Sequence, residues 1–133
     1  MDTRDIFSLK EKKVVVIDPV LETIFGASYR NYKELYTLGG FSMFTCSMID
    51  FNEDKNTGND LFIDDEGLLK SHQKYFNFTG VGTFAGVGIL IGTNHENGES
   101  ISTTWTVDQV KRAVSFKPEG FRIEPSMTFH VIE

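Results

Sequence analysis

The alternation of apolar and polar residues along this chain predicts mainly β-strands. Residues 14–17 form a continuous β-branched run, which predicts a buried strand. Residues 41–49 carry apolar side chains at odd and even positions, and this predicts a central strand covered on both faces. Residues 61–63 and 75–78 predict two further strands, and Asn97-Gly98 predicts a hairpin turn. A sheet is therefore expected to be the main structural unit.

Two segments have helical spacing instead. Between residues 29 and 38 the aromatic and apolar positions recur every three or four residues, and Gly39-Gly40 is a typical C-terminal stop. Thr106 and Gln109 form a capping-box pattern ahead of an apolar face over residues 107–114. Both segments are predicted as helices.

Weaker signals flank these elements. Asp18-Pro19 offers an N-cap and a proline suited to a first helical position, so a short helix is predicted over residues 21–25. Near the C-terminus, residues 121–124 and 127–132 are predicted as two short strands.

A glycine-rich run over residues 80–92 is the least usual segment. Read as one strand, it places on one face five glycines, namely Gly80, Gly82, Gly86, Gly88 and Gly92. Glycine in a strand marks a bend or a close approach of backbone or ligand. The favoured interpretation is that the helix over residues 107–114 packs on this bare face, and the alternative is that the face floors a ligand pocket. A phosphate-binding loop is disfavoured because the glycines lie within the strand pattern.

Together these elements predict an α+β fold, with a mostly antiparallel sheet of about five or six strands and two main helices packed on it. The 133 residues are expected to form a single domain, residues 1–133, with a core large enough to need no covalent staples. Twelve phenylalanines indicate an aromatic core, an aromatic association surface, or both. A homo-oligomer, most simply a dimer, is expected.

Charge and cysteine content narrow the function classes. Thirteen basic and nineteen acidic residues give a formal charge of -6, which argues against binding to nucleic acid. Cys46 is the single cysteine, so a disulfide framework is excluded and a buried thiol in a reducing compartment is expected. The N-terminus has no secretory apolar core and no stretch reaches membrane-spanning length, so the expected location is cytoplasmic, without membrane contact.

The acidic turn Asp64, Asp65 and Glu66 is the weak candidate for metal chemistry. Neighbouring carboxylates can hold a hard cation or supply acid–base pairs, and with His72 or His95 they would suit a metal-dependent hydrolase. The favoured interpretation is a charged β-turn. No metal, catalytic residue or cofactor is therefore assigned.

The polar loop over residues 50–60 alternates oxygen-bearing side chains as an EF-hand does. However, Lys55 and Leu61 occupy positions that require glycine and glutamate in such a loop. A solvated hairpin loop is predicted there, and His95 is expected to be an exposed loop residue.

A ligand bound near the glycine run would be held by aromatic stacking and by a few cations. The candidates are aromatic or cationic residues, or members of the run itself: Tyr29, Arg30, Tyr32, Phe84, Gly86, Gly88 and Arg122.

The order of these motifs resembles a family of small domains of unknown function encoded by phages and conjugative elements. The matching segments are residues 16–19, 39–40, 65–67, 82–84, 86–92 and 106–114. Asp64-Asp65 departs from an asparagine-containing version of the acidic turn. The family has no established activity, so the resemblance implies a mobile-element origin, a place in the host-cell cytoplasm, and nothing catalytic.

Three functions fit these observations. The first is a non-catalytic binding protein of phage type that sequesters a small nucleotide-like signal or a host protein to counter host defence, an idea that rests on analogy. The second is a metal-dependent hydrolase built on the acidic turn, although the chain leans away from an enzyme. The third is a self-assembling scaffold, favoured by Phe-rich strands that can associate through an edge or a face.

Overall fold

The computed structural model describes residues 11–39, 44–64, 74–118 and 121. In these residues the strands are β1 (Lys12–Asp18), β2 (Thr23–Tyr29), β3 (Phe44–Asn52), β4 (Thr57–Asp64), β5 (Tyr75–Phe78), β6 (Gly82–Ala85), β7 (Gly88–Asn94), β8 (Ser100–Ile101) and β9 (Val114–Phe116). The helices are α1 (Tyr32–Gly39) and α2 (Val107–Ala113). The strands predicted over residues 121–124 and 127–132 lie outside the described residues, apart from Phe121.

The strands form two antiparallel sheets instead of the single sheet expected. The larger sheet has six strands in the order β2-β1-β7-β4-β3, with β8 paired to β7. The smaller sheet has the order β6-β5-β9. Every pairing described is antiparallel, as predicted.

The middle strands of the larger sheet are buried on both faces, which explains the continuous apolar run in β1. Val14 and Val16 point to a core that includes Leu35 of α1. Val15 and Ile17 point to the opposite core, where Phe76 and Phe78 of the smaller sheet and Val110 of α2 are buried. The helices have only eight and seven residues. The smaller sheet, which the sequence pattern did not separate, therefore supplies large aromatic side chains to the second core.

The β1–β2 hairpin replaces the short helix predicted over residues 21–25, and that prediction is wrong. The Asp18 carboxylate accepts hydrogen bonds from the backbone N–H groups of Val20 and Leu21, at 2.9 and 3.2 Å. Glu22 has a φ of 51°, in the left-handed region that ends a helix. The chain turns at this point and continues as β2 through Tyr29, so the next helix begins at Tyr32 and not at Tyr29.

Among the described residues, β3 is the end strand of the larger sheet and pairs only with β4, so it does not hold the central position predicted for residues 41–49. Its pairing with β4 is irregular between Met48 and Asp50, where the register shifts. Met48 is exposed, while Ile49, the residue at this irregularity, packs against the second core. Cys46 is exposed, so the prediction of a buried thiol is wrong.

The glycine run does not form one strand, and its segments belong to different sheets. β6 lies in the smaller sheet and β7 in the larger one, and Gly86, with a φ of 81°, lies between them. A Cβ atom on Gly88 would lie 2.7 Å from Cζ of Phe76, and one on Gly92 would lie 2.5 Å from the carbonyl oxygen of Ser102. Close packing is thus confirmed over Gly88 and Gly92, whereas a Cβ on Gly80 would meet nothing within 4 Å and one on Gly82 would meet only Phe84, at 3.9 Å. The covering elements are β5 and the chain after β8, and not helix α2.

Residues 100–105, here called the crossing segment, pass over Gly92 and enter the space between β1 and β7. β1 pairs with β7 only over residues 15–17. Beyond that point the Lys13 N–H donates to Ser102 Oγ (2.8 Å), and the Thr103 N–H donates to the Lys13 carbonyl (2.9 Å). The sheet therefore divides at Lys13, and a groove opens at the division.

Helix α2 follows directly and confirms the capping-box prediction. The Gln109 N–H donates to Thr106 Oγ1 (3.1 Å), and the Thr106 N–H donates to Gln109 Oε1 (2.9 Å). The helix ends at Ala113, whose carbonyl accepts from both the N–H and the hydroxyl of Thr79. The capping box at Thr106 fixes the direction in which the chain leaves the crossing segment and enters α2.

Candidate functional site

A groove of about 760 Å³ lies between the β1–β2 hairpin and the chain from Thr103 to Val107. This volume falls in the range of small-molecule sites. The floor comes from two cross-strand pairs, Lys13 with Ser28 and Val15 with Gly26. Val107 lies over Gly26, with Cγ2 3.6 Å from the place a Cβ would take, which is an ordinary contact distance. The inner end of the groove is therefore apolar.

Trp105 forms the wall of the groove, and its ring is held from two sides. The indole Nε1 donates to Asp50 Oδ2 at 2.7 Å. The ring packs edge-on against Phe78, with 5.4 Å between the centroids and 62° between the planes. Since Phe78 is fully buried, the indole rests on the core of the protein.

Asn59 holds the backbone that carries Trp105. Its side chain is buried, with 3% exposure, and all of its hydrogen-bonding capacity is used. Nδ2 donates to Asp50 Oδ1 and to Thr104 Oγ1, both at 2.9 Å. Oδ1 accepts from Thr103 Oγ1 at 2.6 Å and from the Thr104 N–H at 3.2 Å. The groove wall is thus ordered by the fold itself, which lowers the entropy cost of binding a ligand.

Charged residues gather at the outer end of the groove. Glu11 accepts a hydrogen bond from the Ser28 hydroxyl (3.2 Å), and Lys13 lines the groove beside it. Arg30 lies near Glu11 but is bound by Glu34: Arg30 Nη2 is 3.3 Å from Glu34 Oε2, and the Arg30 N–H donates to Glu34 Oε1 at 2.6 Å. The hydrogen bond from the Arg30 side chain lowers the pKa of Glu34 and raises the pKa of Arg30.

The structure does not bring the predicted ligand residues into one site. Tyr29 is buried at the end of β2 in the core beneath α1, and Lys12 Nζ lies 5.6 Å from the centroid of its ring. Arg30 is exposed and bound by Glu34, and Tyr32 is the first residue of α1.

Two further predicted ligand residues, Phe84 and Gly88, lie on the face of the larger sheet opposite to Tyr29. Phe84 packs on Phe76 in the second core, with 5.6 Å between the ring centroids. Gly86 lies between β6 and β7, and Gly88 is buried under Phe76. Arg122 lies outside the described residues. Gly88 and Gly92 therefore serve close packing, and no residue of the glycine run lines the groove among the described residues.

The predicted acidic turn is described only at its beginning. Asp64 is the last residue of β4, while Asp65, Glu66 and His72 lie outside the described residues. Within the part of the chain that the structure describes, no three or more His, Cys, Asp or Glu residues are placed to hold a metal ion.

The polar loop whose oxygen-bearing residues alternate as in an EF-hand forms the predicted hairpin turn, between β3 and β4. Asn52 Oδ1 accepts from the Lys55 N–H at 3.2 Å, and Asp50 binds Asn59 and Trp105. His95 is exposed, as predicted, and its ring meets Phe51 edge-on at 5.0 Å.

Sequence reasoning missed the residues that build the groove. Trp105 was available as a signal, because it is the only tryptophan and directly precedes the predicted helix cap. Asp50 and Asn59 were noticed only as oxygen-bearing loop residues. Nothing in the sequence marks Gly26 as part of a site, because its role depends on the approach of α2.

No protein-family model, curated protein or solved structure matches this chain. Among the helices of the described residues, none combines the length and the apolar character needed to cross a bilayer.

Proposed function

We propose that this chain is a non-catalytic binding protein that holds a small nucleotide-like ligand in the Trp105 groove. The observation that carries the proposal is the fixed position of the indole at the groove wall, set by Asp50 and supported by the Asn59 hydrogen bonds. In the phage setting that the sequence resemblance implies, such binding would sequester a nucleotide-like signal of the host.

The shape and lining of the groove favour a flat ring. An indole offers a π-face to any nucleobase, and stacking of a base on an aromatic side chain contributes about 1–3 kcal/mol. The bare backbone of Gly26 leaves room beside the wall, and Val15 and Val107 supply apolar contacts at the inner end. A ring inserted there would exchange water for apolar surface on its edges and its face.

The lining supports binding more than catalysis. Among the described residues that line the groove there is no histidine or cysteine. The hydroxyls of Thr103 and Thr106 hold the crossing segment and the helix cap, so neither is paired with a base as an activated nucleophile would be. A metal-dependent hydrolase built on Asp64, Asp65 and Glu66 stays an alternative prediction.

Titration of Trp105 fluorescence tests the proposal, because this single tryptophan reports on its own site. We expect nucleoside monophosphates to change its emission in a saturable way, and Gly26→Leu, which fills the groove, to abolish the change. Thr45→Leu, a similar change at an exposed position of β3, serves as the control. The absence of any response to the nucleotides and their nucleosides would refute the proposal, and so would unchanged binding by Gly26→Leu.

Self-association through β3 is the second candidate function. This outer strand has no Lys, Arg or Pro to block pairing, and it exposes Met48 (56%) and Phe51 (43%). We expect Met48→Lys to weaken dimers measured by light scattering. Leu21→Lys, which alters an equally exposed apolar residue on the β1–β2 turn, should leave them intact. A monomeric wild-type chain at high micromolar concentration would exclude this candidate.

A further inference from the structure

We infer that Lys13 selects ligands that carry an anionic group, so that the groove takes a flat ring with a negatively charged substituent. This inference rests on the proposed function and names the class of ligand within it.

The groove changes in character along its length. Its inner end is formed by Val15, Gly26 and Val107, and its wall by Trp105. Its outer end carries Lys13, Glu11 and Ser28. A ligand that matches both ends has an apolar ring that enters the groove and a polar group that stays at the outer end.

Of the cations near the groove, Lys13 is the one without a partner among the described residues. Lys12 lies over the Tyr29 ring beneath the opposite face of the sheet, and Arg30 is bound by Glu34. Lys13 lines the groove, and no ion pair or cation–π contact holds its ammonium group within the described part of the chain. Its ammonium is therefore available to a ligand.

The position of Lys13 is set by its backbone. Its N–H donates to Ser102 Oγ and its carbonyl accepts from the Thr103 N–H, so the residue is tied to the segment that carries Trp105. The Cα atom of Lys13 and the Trp105 indole are thus both fixed by the crossing segment. A ligand that spans the two would bind them without reordering the backbone.

Glu11 carries the opposing charge at this end of the groove. Its carboxylate accepts the Ser28 hydroxyl and contributes to the electrostatic stabilisation of Arg30. Because the outer end is exposed to solvent, the contribution of Lys13 is that of an exposed ion pair, weakened by salt. A two- to fivefold effect on affinity, about the size of such pairs, is expected.

A matched pair of dyes isolates the charge. 1-Anilinonaphthalene-8-sulfonate carries a flat naphthalene ring with a sulfonate, and N-phenyl-1-naphthylamine is its neutral counterpart. Each is titrated by its own fluorescence against the wild-type chain, Lys13→Gln and Lys12→Gln, with Gly26→Leu to define binding in the groove. The two lysine variants lose the same charge from adjacent residues on opposite faces of β1, and urea unfolding checks that both stay folded.

We expect Lys13→Gln to weaken groove binding of the sulfonate dye by a factor of about two to five, and to leave the neutral dye unchanged. Lys12→Gln should alter neither. Added salt should weaken the binding of the sulfonate dye to the wild-type chain and have little effect on its binding to Lys13→Gln.

If Lys13→Gln lowers the affinity for both dyes equally, the lysine acts through its aliphatic stem, and the inference is overturned. Equal effects of the two lysine variants on the sulfonate dye would overturn it as well. If both dyes bind the groove and Lys13→Gln changes neither, the inference fails while the proposed function stands. If neither dye is sensitive to Gly26→Leu, the proposed function itself fails.

Discussion

Replacement of Asn59 by alanine should destabilise the protein by about 3 kcal/mol, because four side-chain hydrogen bonds at roughly 0.5–1.5 kcal/mol each are lost from a buried site. In two of these bonds Nδ2 donates, to Asp50 and to Thr104 Oγ1. In the other two Oδ1 accepts, from the Thr103 hydroxyl and from the Thr104 N–H. The backbone bond from the Asn59 N–H to Asp50 is retained.

Asn59→Asp distinguishes the network from simple packing, because it keeps the size of the side chain. The new carboxylate has no N–H to donate, and it places an oxygen where Nδ2 now lies 2.9 Å from Asp50 Oδ1. Repulsion from the neighbouring carboxylate raises the pKa of the introduced carboxyl above its unfolded value of about 3.9. The variant is therefore closest to the wild-type stability in acid, and it loses stability as pH rises through the raised folded pKa.

Urea unfolding measures both variants, with Trp105 emission and far-UV circular dichroism as independent probes. Asn59→Asp should be less stable than Asn59→Ala near pH 7, and the gap should narrow near about pH 4. The reasoning is wrong if Asn59→Ala lies within about 0.5 kcal/mol of the wild type, a typical effect for an unimportant surface site. It is also wrong if the difference between the two variants does not depend on pH.

Three further substitutions or measurements test the remaining structure. Gly92→Ala places a Cβ against the backbone of the crossing segment and should lower the free energy of unfolding, measured in urea, by about 2–3 kcal/mol. Gly26→Ala, whose Cβ meets only an ordinary contact, should not destabilise the protein. Equal effects of the two changes would contradict the close passage of the crossing segment over Gly92. Thr106→Ala should cost about 1 kcal/mol through loss of the α2 cap, and Thr106→Ser should restore most of it; failure of the rescue would remove the cap as the cause. Although Cys46 is exposed, the surrounding protein removes part of the water from its thiol, and this desolvation, aided by the Asp60 carboxylate, raises the pKa of Cys46. Its alkylation rate should therefore reach half-maximum at a higher pH than that of an unstructured cysteine peptide; a midpoint at or below the peptide value would refute this.

Local patterns predicted the elements whose causes are local. The run over residues 14–17 became β1, and the capping box at Thr106 became the start of α2, because burial on both faces and end-capping are both written in neighbouring residues. The start of α1 was misplaced because Tyr29 fits a helical spacing and also the alternation of β2. Pairing with β1 decided between the two.

The candidate site could not be predicted because its contacts join distant parts of the chain. Asp50 meets Trp105 across 55 positions, and Asn59 meets Thr104 across 45. Alternation shows which face a residue takes but not which strand lies beside it. The prediction that the glycine run forms one strand is wrong for the same reason. The chain passes from one sheet to the other at Gly86, and spacing along the sequence does not show this.

The division of the sheet at Lys13 has a consequence for amide hydrogen exchange. The N–H groups of Lys13 and Thr103 are bonded across the division and not within a continuous ladder, so separation of the hairpin from the crossing segment exposes them without unfolding β7. Their exchange should therefore report a local opening with a lower free energy than global unfolding. A ligand that bridges Lys13 and Trp105 would oppose that opening, and would slow exchange at these two amides while leaving the amides in the middle of β7 unchanged.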